Sequence, residues 1–211
     1  MDKLFQFVRE TCTLYNIDES HGVSHSMNVL NYAHKIYKSE LPNEQLEEQY
    51  KIIYLSSVLH DMCDKKYINE EMGWKRIHDF IKDDVTEEEL SAIHTIIMTM
   101  SYSKVKKHGF TDLGKYQLAY HIVREADLLS AYDLDRCILY KFNQTGEFTQ
   151  SYLDASLLTH SRMLKQIEDG LFVIRYSKEL AQRLHEETVD RLKGWGDIYK
   201  KIEIEKDECS V

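Results

Sequence analysis

The sequence predicts an all-α fold, and three observations carry that prediction. A single proline, Pro42, and 8 glycines in 211 residues leave few places where a helix must stop. Long stretches are built from Leu, Glu, Lys and Gln, which lose little side-chain freedom in a helix. Apolar residues also recur at the three- and four-residue spacing of a helix with one buried face.

The elements follow in order from that spacing. Leu4, Phe5, Phe7, Val8, Cys12 and Leu14 predict a first helix ending near Asn16. A polar lead-in from Asp18 to Ser24 contains capping residues and opens a second helix that reaches about Ser39, with Val29, Leu30, Ala33 and Ile36 inward. His21 and His25 are four apart at its start, with Gly22 between them. Pro42-Asn43 then break the chain, and a helix over 44–62 turns steadily more apolar, so its later half belongs in the core. A helix over 70–82 turns Trp74, Ile77, Phe80 and Ile81 inward. Thr86 with Glu89 is a capping-box signature for a helix over 87–100.

Residues 101–114 carry Lys104, Lys106, Lys107, His108 and two glycines, and read as a basic loop: a lid over an anionic ligand, or an ordinary solvated loop. A further apolar helix over 115–132 contains Arg124, Glu125 and Asp127, unusual guests in such a setting. Helices over 150–168 and 177–206 follow, the second interrupted near Gly194-Trp195-Gly196, and 207–211 read as a frayed tail. No repeat or linker divides the chain, which predicts one domain, 1–211, with its core over about 18–190.

Composition narrows the function. A formal charge of -9 disfavours extended nucleic-acid binding, though a local basic pocket remains compatible with it. Cys12, Cys63, Cys137 and Cys209 are widely spaced, which suggests neither a zinc knuckle nor a disulfide framework and fits reduced thiols in the cytoplasm. No apolar run is long enough to span a bilayer, and the first residues lack a signal-peptide pattern. A soluble protein is expected, with a homodimer through the last helices left open.

The chain is organised around Ile52-Ile53-Tyr54-Leu55-Ser56-Ser57-Val58-Leu59-His60-Asp61-Met62-Cys63-Asp64, where an apolar helix ends in charge. On a helix His60 and Asp61 are splayed yet able to converge on one ion, while His60 and Asp64 share a face. A carboxylate taken out of water needs a partner, and a metal ion is one such partner. A capping or ion-paired His-Asp at a helix end is the other reading of the pair alone.

Taken together, His25, His60-Asp61 and Asp127 form an H…HD…D pattern, and here the sequence resembles the HD-domain metal-dependent phosphohydrolases. The resemblance extends to His25-Ser26-Met27-Asn28-Val29 and to Arg124-Glu125-Ala126-Asp127-Leu128-Leu129. Ile93-His94-Thr95-Ile96-Ile97 followed by Met100-Ser101-Tyr102-Ser103 is similar to a bacterial-type subgroup that hydrolyses nucleotides. So is Tyr176-Ser177-Lys178-Glu179-Leu180-Ala181 with Arg183-Leu184-His185. Where that subgroup often has a histidine before the serine, this chain has Met100.

The resemblance implies an HD-type helical bundle with His25, His60, Asp61 and Asp127 as ligands of one divalent ion per chain. Such a nitrogen and oxygen set suits Mn²⁺, Fe²⁺, Co²⁺, Ni²⁺ or, less comfortably, Mg²⁺. It implies a small-molecule nucleotide substrate and hydrolysis of a (deoxy)nucleoside triphosphate to monophosphate and pyrophosphate. A phosphomonoesterase, a cyclic-nucleotide phosphodiesterase and a silent nucleotide-binding module are the alternatives. Asp64 is expected to orient or deprotonate the attacking water, its other reading being a helix-end carboxylate paired with Lys65 or Lys66. Lys65, Lys104 and Arg124 are expected on phosphate oxygens, with Lys66 behind them, and His21 in substrate binding. His94 reads equally as structural or functional, and the histidine arrangement of a binuclear enzyme is missing.

Overall fold

The computed structural model describes residues 1–208, which are helical and contain no strand, so the fold is an all-α bundle as the composition predicts. Helix α1 (Asp2–Tyr15) buries Leu4, Phe7 and Val8 and stops at Asn16, whose left-handed backbone returns its N–H to the Cys12 carbonyl. Leu14 is exposed, one apolar position that the periodicity placed inward. Helix α2 (Val23–Ser39) starts after Gly22, which leaves His21 in the preceding turn and His25 in the first helical turn.

The helix predicted over 44–62 is in fact two. Helix α3 (Glu44–Glu48), capped by Asn43, ends at Gln49, whose side-chain amide donates to the distant Lys115 carbonyl at 2.9 Å. Helix α4 (Tyr50–Leu59) then stops three residues short of the predicted end, because Met62 N–H turns back to the Leu59 carbonyl in a tight turn. His60, Asp61 and Asp64 therefore stand on a turn beyond the helix, and the helical-face relation between His60 and Asp64 does not hold. Burial along α4 follows the apolar gradient, with Ile52, Ile53, Val58 and Leu59 fully enclosed.

Helix α5 (Glu70–Ile81) is capped by Asn69, and α6 (Glu87–Thr99) carries the complete Thr86–Glu89 capping box. The predicted basic loop is instead helix α7 (Tyr102–His108). Buried Val105 anchors it, and Gly109 ends it at φ 77. A 3-10 turn (Gly114–Tyr116) leads into α8 (Gln117–Ser130). Helix α2 packs on α8 and α4, and α4 on α6. Along this seam Val29, Ala33 and Ile36 of α2, Ile93 and Ile96 of α6, and Ile122, Val123 and Leu129 of α8 are all fully buried. Full burial of each Val, Leu or Ile contributes about 1.5–3 kcal/mol, so this seam dominates the packing. Ser26 Oγ adds a fixed register by donating to the Val58 carbonyl at 3.0 Å.

Contacts divide the chain into two compact units, the first being Met1–Ser130 with Phe172–Ser177. In this unit Arg124 and Glu125 are both buried and pair at 2.9 Å, and Glu125 accepts the N–H groups of Val173 at 2.8 Å and Ile174 at 3.3 Å. The unusual charges on α8 thus clamp a returning strand of chain.

The second unit, Ala131–Leu171 and the chain from Lys178, contains α9 (Leu134–Thr145), which has no counterpart among the predicted helices. Asp133 caps its start and Gly146, at φ 71, its end. Helix α10 (Phe148–Leu158) passes through a π-helical turn (Thr159–Met163) into α11 (Leu164–Glu168). Helix α12 (Arg175–Glu208) runs through Gly194 and Gly196 without the predicted interruption. Tyr152 explains one of these glycines: its hydroxyl donates to the Leu192 carbonyl at 2.9 Å, and a Cβ on Gly196 would sit 3.4 Å from that oxygen. Of the expected tail, Asp207 and Glu208 belong to α12, and the rest, with Cys209, lies outside the described residues. Cys12, Cys63 and Cys137 are free thiols. Among the described residues no helix is long and apolar enough to cross a membrane.

Candidate metal centre

Three separated segments bring four ligand atoms together in the first unit. His25 comes from the first turn of α2, His60 and Asp61 from the turn after α4, and Asp127 from α8. The two imidazole Nε2 atoms are 3.0 Å apart. Asp61 Oδ2 lies 3.1 Å from His25 Nε2 and 3.4 Å from His60 Nε2. Asp127 Oδ1 lies 3.4 and 3.6 Å from the same two nitrogens. Atoms bound to one ion at about 2.0–2.2 Å stand roughly 2.8–3.6 Å from one another, depending on coordination geometry. The observed spacings fall in that range.

Hydrogen bonds behind the rings fix what each nitrogen offers. His60 Nδ1–H donates to the Ser57 carbonyl at 2.9 Å. Ser130 Oγ donates to the Asp127 carbonyl at 2.7 Å and faces His25 Nδ1 at 3.4 Å, so it accepts from that nitrogen. With each Nδ1 hydrogen-bonded outward, both Nε2 atoms point inward, the orientation that a metal ligand requires. Asp61 Oδ2 is buried and accepts no hydrogen bond, an unsatisfied carboxylate oxygen in the middle of the cluster. Two inward nitrogens and two carboxylates form a donor set of a kind that could hold a divalent ion.

The electrostatics couple the four residues. Burial opposes charge on His60, yet Asp61, then Asp127 and the Ser57 carbonyl, raise its pKa to about 9. Burial would raise both carboxylates, but His60 and His25 override it and hold Asp61 and Asp127 well below the usual range. A shared proton satisfies this pocket only in part, because its formal negative charge is two. In the same turn, burial, then the charges of Glu70 and Asp61, push the Cys63 thiol up to about 12.

The remaining predicted residues scatter. His21 lies beside the cluster, its ring edge-on to His25 with centroids 6.1 Å apart. Asp64 Oδ1 accepts the Lys66 N–H at 2.9 Å, and Oδ2 faces Lys66 Nζ at 3.4 Å, so the Lys66 pairing is the arrangement found. Lys65 is exposed on the rim of an open cavity of about 560 Å³ formed by residues 65–71.

Two of the expected phosphate contacts are otherwise engaged. Lys104 sits on α7 and is paired with Glu70 at 2.7 Å. Arg124 is 1% exposed, ion-paired with Glu125 and stacked 4.6 Å over the Phe110 ring, which makes it a core cation. Met100 is a buried core residue, and His94 packs on Trp74 with ring centroids 4.4 Å apart, its pKa lowered by burial.

Residues that the pattern did not single out complete the surroundings. Tyr67 Oη donates to Asp18 Oδ2 at 2.7 Å and stands 3.0 Å from His21 Nδ1, while Ser20 bridges Asp18 and His21. Burial would raise the Asp18 pKa, but hydrogen bonds from Ser20 and Tyr67 hold it below the usual range. Asp18-x-Ser20 carried a local signal as a capping turn. Tyr67 carried none, being 46 residues from the histidine it touches.

Comparison with known proteins adds the fold. No family model matches the chain. No curated protein matches it. Among solved structures, a Lactobacillus plantarum protein determined as a structural genomics target is similar, with a TM-score of 0.67 and 19% identity. The match covers 94% of this chain and 95% of that one, so the two share a fold over nearly their full lengths.

Proposed function

We propose that this chain is a divalent-metal-dependent phosphohydrolase of the HD type acting on nucleotides, cleaving a (deoxy)nucleoside triphosphate to its monophosphate and pyrophosphate. The observation that carries the reading is the convergence of His25 Nε2, His60 Nε2 and Asp61 Oδ2 at 3.0–3.4 Å, with Asp127 Oδ1 3.4 and 3.6 Å from the two nitrogens. The motif resemblance supplies the reaction class. A divalent ion held by these four residues would make a water molecule more acidic and neutralise phosphoryl charge.

The chain's own residues supply the rest. Ser57 and Ser130 hold the two imidazoles in the ligand orientation, and α2, α4 and α8 hold the ligand atoms in place before substrate arrives. Asp64 orients the attacking water and takes its proton, its carboxylate positioned by the Lys66 N–H. Lys65 and Lys66 face the nucleotide's phosphates from the adjoining cavity wall. Lys104 and Arg124 are held more tightly by their carboxylates, at 2.7 Å from Glu70 and 2.9 Å from Glu125, than Lys66 is by Asp64 at 3.4 Å. Free thiols at Cys12, Cys63 and Cys137 accord with a reducing, cytoplasmic setting.

The test is product analysis by anion exchange after incubating the protein and Mn²⁺ with a panel of nucleotides, with Asp61→Ala alongside. Pyrophosphate and monophosphate from the unmodified protein alone are expected. Free phosphate or nucleoside would move the reading to a phosphomonoesterase, and ring opening of a cyclic nucleotide to a phosphodiesterase. Tight nucleotide binding without product would make it a binding module, and full activity in Asp61→Ala would end the ligand assignment.

A further inference from the structure

His21 stands between the metal-ligand cluster and the cavity formed by residues 65–71, and its two nitrogens face opposite kinds of partner. Nδ1 lies 2.8 Å from Ser20 Oγ and 3.0 Å from Tyr67 Oη. Both hydroxyls give their single hydrogen to Asp18, Ser20 to Oδ1 and Tyr67 to Oδ2. Each therefore meets His21 with a lone pair, and Nδ1 carries the imidazole proton. Nε2 is left as an acceptor, and Lys66 Nζ donates to it at 3.3 Å.

Lys66 is thereby held by the His21 ring on one side and by Asp64 on the other, at 3.4 Å. Its ammonium has three donors, of which these contacts engage two. The side chain remains 50% exposed and lines the open cavity. Lys65 lines the same wall, but among the described residues nothing pairs with its ammonium. A charge held in place loses less freedom on binding than one that must first be ordered.

We infer that Lys66 is the anion-binding residue of this site, taking a phosphate group of a polyphosphate ligand, and that Asp18, Ser20, Tyr67 and His21 are positioning residues that hold its ammonium there. The polyphosphate identity rests on the hydrolase reading, whereas the geometry of the relay does not. A compact ammonium beside a cluster built for a divalent cation suits adjacent phosphates, whose charges need both neutralised together. His21 accordingly acts through Lys66.

The test is calorimetric titration of inorganic pyrophosphate into the full-length, Mn²⁺-loaded protein. Lys66→Met is expected to weaken binding by about tenfold or more, and Lys66→Arg to restore most of it. Tyr67→Phe, which removes one oxygen and keeps the ring, is expected to weaken binding by roughly threefold. Nitrogen-15 spectra should show His21 as the Nδ1–H tautomer and should shift in Tyr67→Phe and Asp18→Asn, a change that loss of packing alone does not produce.

Absence of pyrophosphate binding overturns the inference, as does undiminished binding by Lys66→Met, or Tyr67→Phe and Asp18→Asn variants with unmoved spectra and affinity. The two readings separate cleanly. Lys66-dependent pyrophosphate binding without turnover of any nucleotide removes the hydrolase and leaves Lys66 in its role. Nucleotide turnover at an unchanged KM in Lys66→Met removes this inference alone.

Discussion

At the scale of single residues, the charges of α8 divide into two kinds. Asp127 faces His25 and His60, whereas Arg124 is already answered by Glu125. Glu125→Ala would leave a guanidinium without its counter-charge and strip the acceptor from the Val173 and Ile174 N–H groups. Breaking a buried pair in this way costs about 3–5 kcal/mol, so the urea midpoint should fall sharply at unchanged slope. A loss under about 1 kcal/mol would mean that water reaches Arg124.

His121 offers a pH test away from the metal ligands. Burial, then the charge of Arg124, lower its pKa to about 4. The unfolded chain, with His121 at its ordinary value near 6.5, binds the proton first as pH falls. The stability that neutral His121 contributes is thus fully present above about pH 6.5 and is lost on descent toward about pH 4. His121→Gln should flatten the fall in melting temperature across that window, and a parallel fall in both proteins would refute the assignment.

At the scale of elements, α5 is seated on the turn that carries His60 and Asp61. A Cβ on Gly73 would stand 2.6 Å from Cys63 Cβ and 2.7 Å from Cys63 Cα. Replacing a helical glycine by alanine ordinarily gains up to about 1 kcal/mol, but overpacking costs about 1–3 kcal/mol. Gly73→Ala should therefore destabilise the protein and weaken Mn²⁺ binding, read by thermal melting and metal titration. A more stable variant with unchanged Mn²⁺ affinity would show that α5 can lift without disturbing His60 and Asp61.

The same scale shows why some boundaries were legible and others were not. The Thr86–Glu89 box and the αL stop at Asn16 depend on neighbours within one turn. The break at Gln49 is coupled to Lys115, α7 is anchored by burial of Val105, and Gly196 sits under Tyr152. Those determinants come from far along the chain or from the core, so local propensity misplaced all three.

At the scale of the whole molecule, the candidate centre joins segments that have no fixed relation in the unfolded chain. An ion that binds only the folded arrangement stabilises it by mass action, about 2.7 kcal/mol at a hundredfold excess over Kd. Mn²⁺ should raise the melting temperature, EDTA should reverse the rise, and Asp61→Ala should show neither effect. A melting temperature indifferent to divalent ions would remove the metal-centre reading, whatever activity is found.

By itself the sequence determined the helical class and the four residue types able to hold a divalent ion, because both depend on local composition and on spacing along the chain. Tertiary structure decided that His25, His60 and Asp61 converge at 3.0–3.4 Å, with Asp127 3.4 and 3.6 Å from the two imidazoles. It also brought Lys104 onto Glu70, Arg124 onto Glu125, and Lys66 between His21 and Asp64. Which lysine or arginine is already neutralised depends on carboxylates brought near by packing, and no pattern along the chain encodes that distance.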